Sequence, residues 1–539
     1  MKINGILIDI HKRDIYPAEI QYEKGRILKI TEKESAPHRY ILPGLIDSHI
    51  HIESSMITPG AFASVAVKHG TTGVVSDPHE IANVLGMYGI EYMIKDAKKV
   101  PVRFWFGASS CVPATEFESS GARIGTDEIT QLLLKDEIKY LAEMMNFPGV
   151  IYDNKEVCEK LEVAKKYNKK IDGHAPGLTG ENLKKYVSAG ISTDHECSTL
   201  EEAKEKIGLG MKILIREGSA ARNLDALKEL FKTDPEMIML CSDDLHPEML
   251  LKRHLNKLIA ELIKEGYDLF DVIRACTVNP VRHYGLEAGL LQPGESADFI
   301  IVDDLRKMNV LETWIGGEKV FGDGVVRFKY YGNEPVNKWN CSEVNSDKLV
   351  IKGTGGRLKV IEAFDGELFT KSLLISAKKG EIIKPDLSDD ILKIIVKDRY
   401  NDAAPAVGFI KGFGLKEGAF ASSVSHDSHN IICIGTNDED IVSAVNEVVR
   451  MKGGLAVSSG GKSYTMNLDI AGIMTNRTCE ETAAGYLQLS DLVKSLGCTL
   501  KAPFMTLSFM ALLVIPELKI GDKGLFDGNK FCLTSLFED

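Results

Sequence analysis

The chain lacks three features that would assign it to a membrane, secreted or disulfide-rich class. Its ten cysteines are scattered and no Cys-x-x-Cys pair occurs, which is typical of proteins from a reducing compartment. The longest apolar stretch, 504–515, contains Thr506 and Ser508 and is shorter than the roughly 20 residues of a membrane span. The first residues have neither the continuous apolar core nor the cleavage site of a signal peptide. We therefore expect a cytoplasmic protein with no membrane partner.

The chain also lacks an excess of basic residues. Lysine and arginine number 65 against 77 aspartates and glutamates, which gives a formal net charge of −12. A nucleic-acid or anionic-membrane partner would require a basic face, so this balance disfavours both. A small neutral or cationic ligand remains compatible with this charge. With 539 residues, the chain is too long for one ordinary domain of roughly 100 to 200 residues, and we expect two or three domains.

What the sequence does contain is a strand that ends in a histidine pair. The apolar run 41–46 predicts a buried strand, which reaches His49 and His51 before Pro59 opens a helix. Residues two apart in a strand face the same side, so both imidazoles point one way. Such a pair could bind a divalent metal, or it could be two hydrogen-bonded core histidines. The presence of further ligands must decide between these two alternatives.

Strand and helix patterns alternate from residue 42 onward. Eight strands are predicted, and they end near residues 51, 77, 109, 143, 174, 195, 217 and 243. Helical patterns such as 81–99 and 223–232 lie between them. This alternation predicts an α/β fold, a distorted (β/α)8 barrel, whose active site forms at the carboxyl ends of the strands.

Polar side chains of the metal-ligand type stand at nearly every predicted strand end. Packing does not explain them, because a strand that enters a barrel core should finish on apolar or turn residues. Imidazole and carboxylate groups suit Mn, Fe or Zn. His69 and His254 lie in helical contexts, where we expect surface or packing roles. The predicted metal ligands are His49, His51, Glu143, His174, His195 and Asp243.

The segments that flank the barrel, residues 44–285, predict further domains. Residues 1–43 and 286–330 contain short strands and turns, and we expect them to form the two halves of a small β-sandwich. A polar stretch at 331–347 predicts a linker. Residues 348–539 predict an extra C-terminal α+β domain.

His426 and Asp427 of this last domain stand beside a β run at 431–434. On composition alone, a turn with surface histidines and a functional site fit this segment equally well.

Several motifs of the chain resemble the amidohydrolase superfamily and, more narrowly, its bacterial and archaeal adenine deaminases. The resemblance spans essentially the whole chain. The motifs that carry it are PGLIDSHIH at 43–51, DPHEIANV at 77–84, SCVPAT at 110–115, AEMMN at 142–146, DGHAPG at 172–177, CSDDLHP at 241–247, GESADFIIV at 294–302 and HDSHN at 426–430.

The resemblance implies a hydrolase that converts adenine to hypoxanthine and ammonia in purine salvage, and a homo-oligomer. It also implies two divalent metal ions, with Mn or Fe favoured and Zn compatible with the ligands. We expect His49, His51 and Asp243 to hold one ion, and His174 and His195 to hold the other. Many binuclear amidohydrolases bridge their metals with a carboxylated lysine, whereas Glu143 is the expected bridge here.

Roles in the reaction follow from the same hypothesis. Asp243 is the expected general base and acid for the attack of hydroxide on C6 of adenine. Residues expected to hydrogen-bond the purine, or else to orient the histidines, are Asp77, Ser109, Glu217 and Asp244. Because His426 and Asp427 match a subfamily motif, we expect the C-terminal domain to contribute to the pocket.

Two alternatives compete with adenine deamination. The same metal site could hydrolyse a cyclic amide, as dihydroorotase or hydantoinase relatives do, or deaminate another aminopurine, because function is set by the pocket loops. A barrel that has lost its chemistry and serves only as a binding protein is the second alternative, and the complete ligand set counts against it.

Overall fold

A computed structural model describes residues 1–219 and 221–538 of the chain. These residues divide into two compact units. The first unit contains residues 1–78, 91–110 and 126–333, and the second contains residues 79–90, 111–125 and those from 334 onward. Two short segments of the barrel sequence thus belong to the second unit, while the domain boundaries drawn from the sequence stay a prediction.

The strands of the first unit fall into three sheets. In chain order they are β1 (Lys2–Asp9), β2 (Asp14–Glu23), β3 (Arg26–Glu32), β4 (Tyr40–Pro43), β5 (Leu45–Ile50), β6 (Thr71–Ser76), β7 (Arg103–Ala108), β8 (Ile138–Met144), β9 (Lys170–Gly173), β10 (Thr193–Asp194), β11 (Lys212–Arg216), β12 (Ile238–Cys241), β13 (Phe299–Val302), β14 (Val310–Ile315), β15 (Glu318–Gly322) and β16 (Val325–Val326).

The largest of these sheets joins the two sequence segments that flank the barrel. Its eight strands run in the order β16-β15-β14-β13-β4-β1-β2-β3. Apolar and polar residues alternate in β2, so that Tyr16, Ala18, Ile20 and Tyr22 are buried on one face. These side chains pack into one apolar cluster with Phe299 of β13.

The remaining eight strands are parallel to their neighbours and form the barrel. They make one arc of five, β5 to β9, and a second arc of three, β10 to β12. A single parallel bridge between Ile50 and Asp243 links the two ends of the series. Strands β5 and β6 are buried along their whole length, as expected when both faces of a parallel sheet are covered. The predicted distorted (β/α)8 fold is confirmed.

Helices alternate with these strands along the sequence. Those between residues 59 and 284 are α1 (Pro59–Ala66), α2 (His79–Leu85), α3 (Met87–Ala97), α4 (Thr126–Leu133), α5 (Phe147–Ile151), α6 (Lys155–Lys166), α7 (Gly180–Ser188), α8 (Leu200–Gly208), α9 (Leu224–Leu227), α10 (Leu230–Thr233), α11 (Pro247–Leu250), α12 (Leu255–Glu265), α13 (Leu269–Arg274) and α14 (Val278–Tyr284). Among the described residues, no helix is both long and apolar enough to cross a membrane.

The helix predicted over 81–99 is interrupted. Gly86 has a φ of +62°, which ends α2 before α3 begins, because the left-handed region is readily open only to glycine. The helix predicted over 223–232 is likewise two short helices, α9 and α10.

Asp47 ties the first and the eighth parallel strands together. Its Oδ1 atom accepts a hydrogen bond from the backbone N–H of Ser242 at 3.0 Å, and its Oδ2 atom accepts one from the Ser242 hydroxyl. His254 Nε2 lies 2.9 Å from the same Oδ2 atom. All three side chains are buried. His254 is therefore a buried packing residue and not a surface one, since it supports the strand that carries His49.

The second unit contains a nine-stranded sheet, a three-stranded sheet and three further helices. Its elements are β17 (Arg357–Glu362), β18 (Lys371–Ser376), β19 (Ile391–Lys397), β20 (Ala406–Lys411), β21 (Ala419–Ser422), β22 (Ile431–Gly435), α15 (Asp438–Met451), β23 (Gly454–Ser459), β24 (Lys462–Asn467), α16 (Cys479–Ser495), α17 (Pro503–Phe509), β25 (Leu518–Gly521), β26 (Gly524–Asp527), β27 (Cys532–Leu533) and β28 (Phe537–Glu538). Buried residues of α15 pack against β19, β21, β22 and β23, which gives the α+β arrangement predicted for the C-terminal part.

Candidate metal centre

The histidine pair after β5 opens a cluster of buried donor atoms. The Nε2 atoms of His49 and His51 lie 3.1 Å apart, and the two side chains are 1% and 4% exposed. The Nδ1 atom of His51 contacts the backbone carbonyl of Asp77 at 3.1 Å. A carbonyl only accepts hydrogen bonds, so this contact places a proton on Nδ1 and leaves the Nε2 lone pair for a ligand.

Asp243 completes the first group of donors. Its Oδ1 atom lies 3.2 Å from His51 Nε2 and 3.5 Å from His49 Nε2. Ligand bonds of about 2.0 to 2.2 Å place neighbouring ligand atoms about 3 to 3.5 Å apart around one ion. The three donor atoms therefore fit a single divalent cation.

A second group of donors forms around His174 and His195. Glu143 Oε2 lies 3.0 Å from His174 Nδ1 and 3.1 Å from His195 Nε2. These three residues can place one ligand atom each within 4.8 Å of the others. The group thus offers the same kind of site as the first.

Glu143 faces both groups with different oxygen atoms. Its Oε2 atom faces His174 and His195, while its Oε1 atom lies 3.5 Å from His51 Nε2. A carboxylate can bind one ion through each oxygen. This position suits a bridge between two cations, the role predicted for Glu143.

The chemistry of the donor set fits transition-metal ions. Four imidazoles and two carboxylates, all buried, make up the two groups. These are ligand types that Mn, Fe and Zn accept, which agrees with the ions that the sequence predicts.

Burial and neighbouring groups set the charges of the cluster. Burial lowers the pKa of His49, as do the neighbouring His195 and His51, so that its imidazole stays neutral. Burial alone would raise the pKa of Glu143, but the imidazoles of His195 and His174 hold that pKa well below its usual range. Burial acts to lower the pKa of both these histidines, but neighbouring carboxylates raise it above the usual value. Because metals bind neutral imidazole and ionised carboxylate, an ion in this group would displace protons from His174 and His195.

Arg216 and Glu196 belong to this site, and the sequence prediction missed both. Arg216 Nη1 donates a hydrogen bond to Asp243 Oδ2 at 2.7 Å. The same guanidinium forms a bidentate ion pair with Glu196, in which Nη1 donates to Oε1 and Nη2 lies 2.9 Å from Oε2. Burial acts to raise the pKa of Asp243, yet Arg216 and hydrogen bonds from His49 and His51 keep that pKa well below its usual range.

The four residues predicted to bind the substrate occupy different surroundings. Ser109 donates to Asp77 Oδ1 at 3.4 Å, and both side chains are buried. Asp244 accepts a hydrogen bond from Ser54 at 2.5 Å and lies beside His51 and Asp243. Glu217 instead pairs with Arg253 at 3.0 Å. The structure thus groups Asp77, Ser109 and Asp244 with the donor residues, while the described contacts of Glu217 are with arginines outside the group.

His426 and Asp427 lie in the second unit, where they form part of a cluster with His79, Glu80 and His429. Their predicted contribution to the substrate pocket stays a prediction.

Comparisons with known proteins agree with this geometry. The amidohydrolase family model matches residues 40–320, and the model of the adenine deaminase C-terminal domain matches residues 367–532. The chain is 51% identical over 544 residues to an adenine deaminase of Methanosarcina barkeri. This match covers 99% of the present chain and 98% of the relative. It is 50% identical to an adenine deaminase of Methanosarcina mazei, with 100% of both chains covered.

A third relative matches over its full length as well. The adenine deaminase of Salinibacter ruber is 47% identical over 542 residues, which are 100% of this chain and 99% of the relative. The matches extend over the barrel, the flanking sheet and the C-terminal part alike. The chain therefore belongs to the amidohydrolase family and, within it, to the adenine deaminase group, as its motifs predicted.

Proposed function

We propose that this protein catalyses the hydrolytic deamination of adenine to hypoxanthine and ammonia, as part of purine salvage. The observation that carries the proposal is the paired donor set, His49, His51 and Asp243 beside His174 and His195, with Glu143 between them. Full-length relatives that carry the name adenine deaminase support the choice of substrate.

The six donor residues would hold two divalent cations, with Mn or Fe as our choice and Zn as an acceptable substitute. Such ions supply a hydroxide nucleophile at neutral pH, because they lower the pKa of water from 15.7 to about 7. In this proposal His49, His51 and Asp243 would hold one ion. His174 and His195 would hold the other, and Glu143 would contribute an oxygen to each.

Asp243 acts as the proton carrier. It takes a proton from the water that attacks C6 of adenine and passes it to the purine ring or to the leaving amine, so that ammonia departs and hypoxanthine remains. Arg216 fixes the Oδ2 atom of Asp243 at 2.7 Å, which directs Oδ1 toward the histidines. The low pKa of Asp243 keeps this carboxylate ionised at neutral pH.

Asp77, Ser109 and Asp244 are our candidates for hydrogen bonds to the purine nitrogens, and Glu217 is a weaker candidate because Arg253 already binds its carboxylate. The cytoplasmic location and the homo-oligomeric state predicted from the sequence are part of the same proposal.

A panel assay tests the substrate and the metal together. Ammonia release would be measured with adenine, adenosine, cytosine, guanine, dihydroorotate and hydantoin, each with added Mn2+ and with a chelator. We expect turnover of adenine that needs the metal. Activity on adenosine without activity on adenine, or hydrolysis of dihydroorotate or hydantoin as the main reaction, would contradict the proposal.

A further inference from the structure

A second cluster of buried histidines and carboxylates lies within the second unit. It combines the start of α2 with the loop that precedes β22. Its members are between 1% and 5% exposed, so all of them are removed from water. They are His79, Glu80, His426, Asp427 and His429.

Three atoms of the cluster are spaced like metal ligands. His79 Nε2 lies 3.6 Å from Glu80 Oε1 and 3.7 Å from Asp427 Oδ1. All three residues can place one donor atom within 4.8 Å of the others. Because ligand bonds are about 2.0 to 2.2 Å long, an ion at the centre of these atoms would need only a small contraction of the group.

Glu80 is held in place by two further histidines. His426 Nδ1 contacts its Oε1 atom, and His429 Nε2 contacts its Oε2 atom. The backbone N–H of Ser425 donates to His429 Nδ1 at 3.2 Å, so Nδ1 is an acceptor and the proton of this neutral ring is on Nε2. Metal-binding carboxylates are commonly oriented by such hydrogen bonds from neighbouring groups.

Lysine and arginine do not balance the charge of the cluster. None of these side chains within residues 1–219 and 221–538 forms an ion pair with Glu80 or Asp427. The groups that lie against the two carboxylates are the imidazoles of the cluster. Asp427 Oδ2 is buried and makes no hydrogen bond to any described residue. A buried carboxylate oxygen without a hydrogen bond is unfavourable, and a cation bound by Asp427 would offset that cost.

We propose that His79, Glu80 and Asp427 bind a third divalent transition-metal ion. One imidazole and two carboxylates suit Mn2+, Fe2+ or Zn2+. His426 and His429 are positioning residues that hold Glu80. The proposal does not depend on which substrate the barrel hydrolyses, since it rests on residues of the second unit alone.

Anomalous diffraction from crystals of the full chain loaded with Mn2+ tests the site directly. We expect a peak at the manganese edge about 2.0 to 2.3 Å from His79 Nε2, Glu80 Oε1 and Asp427 Oδ1. This measurement needs no mutant, so it does not depend on whether a variant folds. A map with peaks at the barrel ligands and none at this cluster would overturn the proposal.

Metal counting on variants gives a second test. Asp427→Asn should lose about one Mn2+ per chain relative to the wild type while the barrel keeps its ions. Asp527→Asn removes a carboxylate of the same unit that pairs with Lys530, and it should keep the full metal content. Equal metal content in the two variants would contradict the assignment, and thermal unfolding of both would show whether the fold is retained.

Discussion

Arg216 Nη1 lies 2.7 Å from Asp243 Oδ2, on the side of the carboxylate that faces away from the histidines. The other oxygen, Oδ1, lies 3.2 Å from His51 and 3.5 Å from His49. One oxygen of Asp243 thus contacts the guanidinium of Arg216, and the other faces the two histidines that we propose as metal ligands. Because the guanidinium is planar and stays charged, it sets the orientation of Asp243 as well as its charge.

Replacing Asp243 by asparagine should abolish most of the activity and spare the fold. Asparagine can still offer an oxygen to a metal, but it cannot accept and return a proton at neutral pH. We expect kcat to fall by roughly 10²- to 10⁴-fold, the usual contribution of a positioned acid or base. Steady-state kinetics and metal analysis would check this, with the exposed Asp225→Asn as the control. Near-normal kcat in Asp243→Asn would remove this residue from the mechanism.

Arg216→Lys should weaken the site although it keeps the positive charge. Lysine cannot bind Glu196 in two places and reach Asp243 at the same time, so both carboxylates would lose their fixed orientation. Loss of such outer partners lowers metal affinity or activity by roughly 10- to 100-fold. Kinetics and metal titration would be compared with Arg222→Lys, which changes an arginine that contacts Glu217 at 3.8 Å. Unchanged metal affinity together with unchanged kcat would show that Arg216 does not position Asp243.

Glu143→Gln tests the bridge. An amide has only one oxygen, so it cannot place an acceptor toward His51 and another toward His174 and His195. We expect the variant to bind about one metal ion fewer per chain than the wild type. Its activity should fall together with its metal content. Glu137→Gln, one residue before β8 on a partly exposed side chain that pairs with Lys98, is the matched control. Retention of both barrel ions by Glu143→Gln would argue against a bridging role.

His69 should make stability dependent on pH. Burial, together with His254, lowers the pKa of His69 from 6.5 to about 4, while its Nε2 atom contacts the Leu250 carbonyl at 2.8 Å. The unfolded chain therefore binds more protons than the folded chain between pH 6.5 and 4. The stability linked to this histidine is present above pH 6.5 and is lost as the pH falls through that window.

His69→Gln removes this titration. As the pH falls from 7 to 4, the free energy of unfolding of the variant should rise relative to that of the wild type, by up to about 3 kcal/mol at pH 4. Urea denaturation at several pH values would measure the difference, and the exposed His11→Gln would serve as the control. A difference that does not change with pH would show that His69 titrates alike in both states.

The sequence predicted the six donor residues but not their partners, and the reason lies in strand geometry. Successive residues of a strand face opposite sides, so a strand that presents Glu217 to the site is predicted to turn Arg216, the last residue of β11, away from it. Glu196 was missed because it directly follows His195. Strand β10 contains only Thr193 and Asp194, and beyond its end the alternation no longer separates neighbouring residues.

The sequence patterns also do not predict contacts between distant parts of the chain. His254 looked like a helical surface or packing residue, because nothing in its neighbourhood indicates Asp47, 207 residues earlier. The barrel itself was predictable, since eight strands with ligand-type ends leave few other folds. Pairings such as Arg216 with Glu196 depend on how those strands close, which periodicity alone does not encode.

The link between Asp47 and Ser242 bears on when the metal centre can form during synthesis. The two residues are 195 positions apart, and in the proposed metal site the histidines beside Asp47 need Asp243 to complete their ligand set. A chain still growing on the ribosome therefore holds His49 and His51 long before their partner has been translated. Contacts between such distant residues form late. Metal binding would therefore follow the synthesis of the whole barrel, because the histidine pair alone would have a low affinity for an ion.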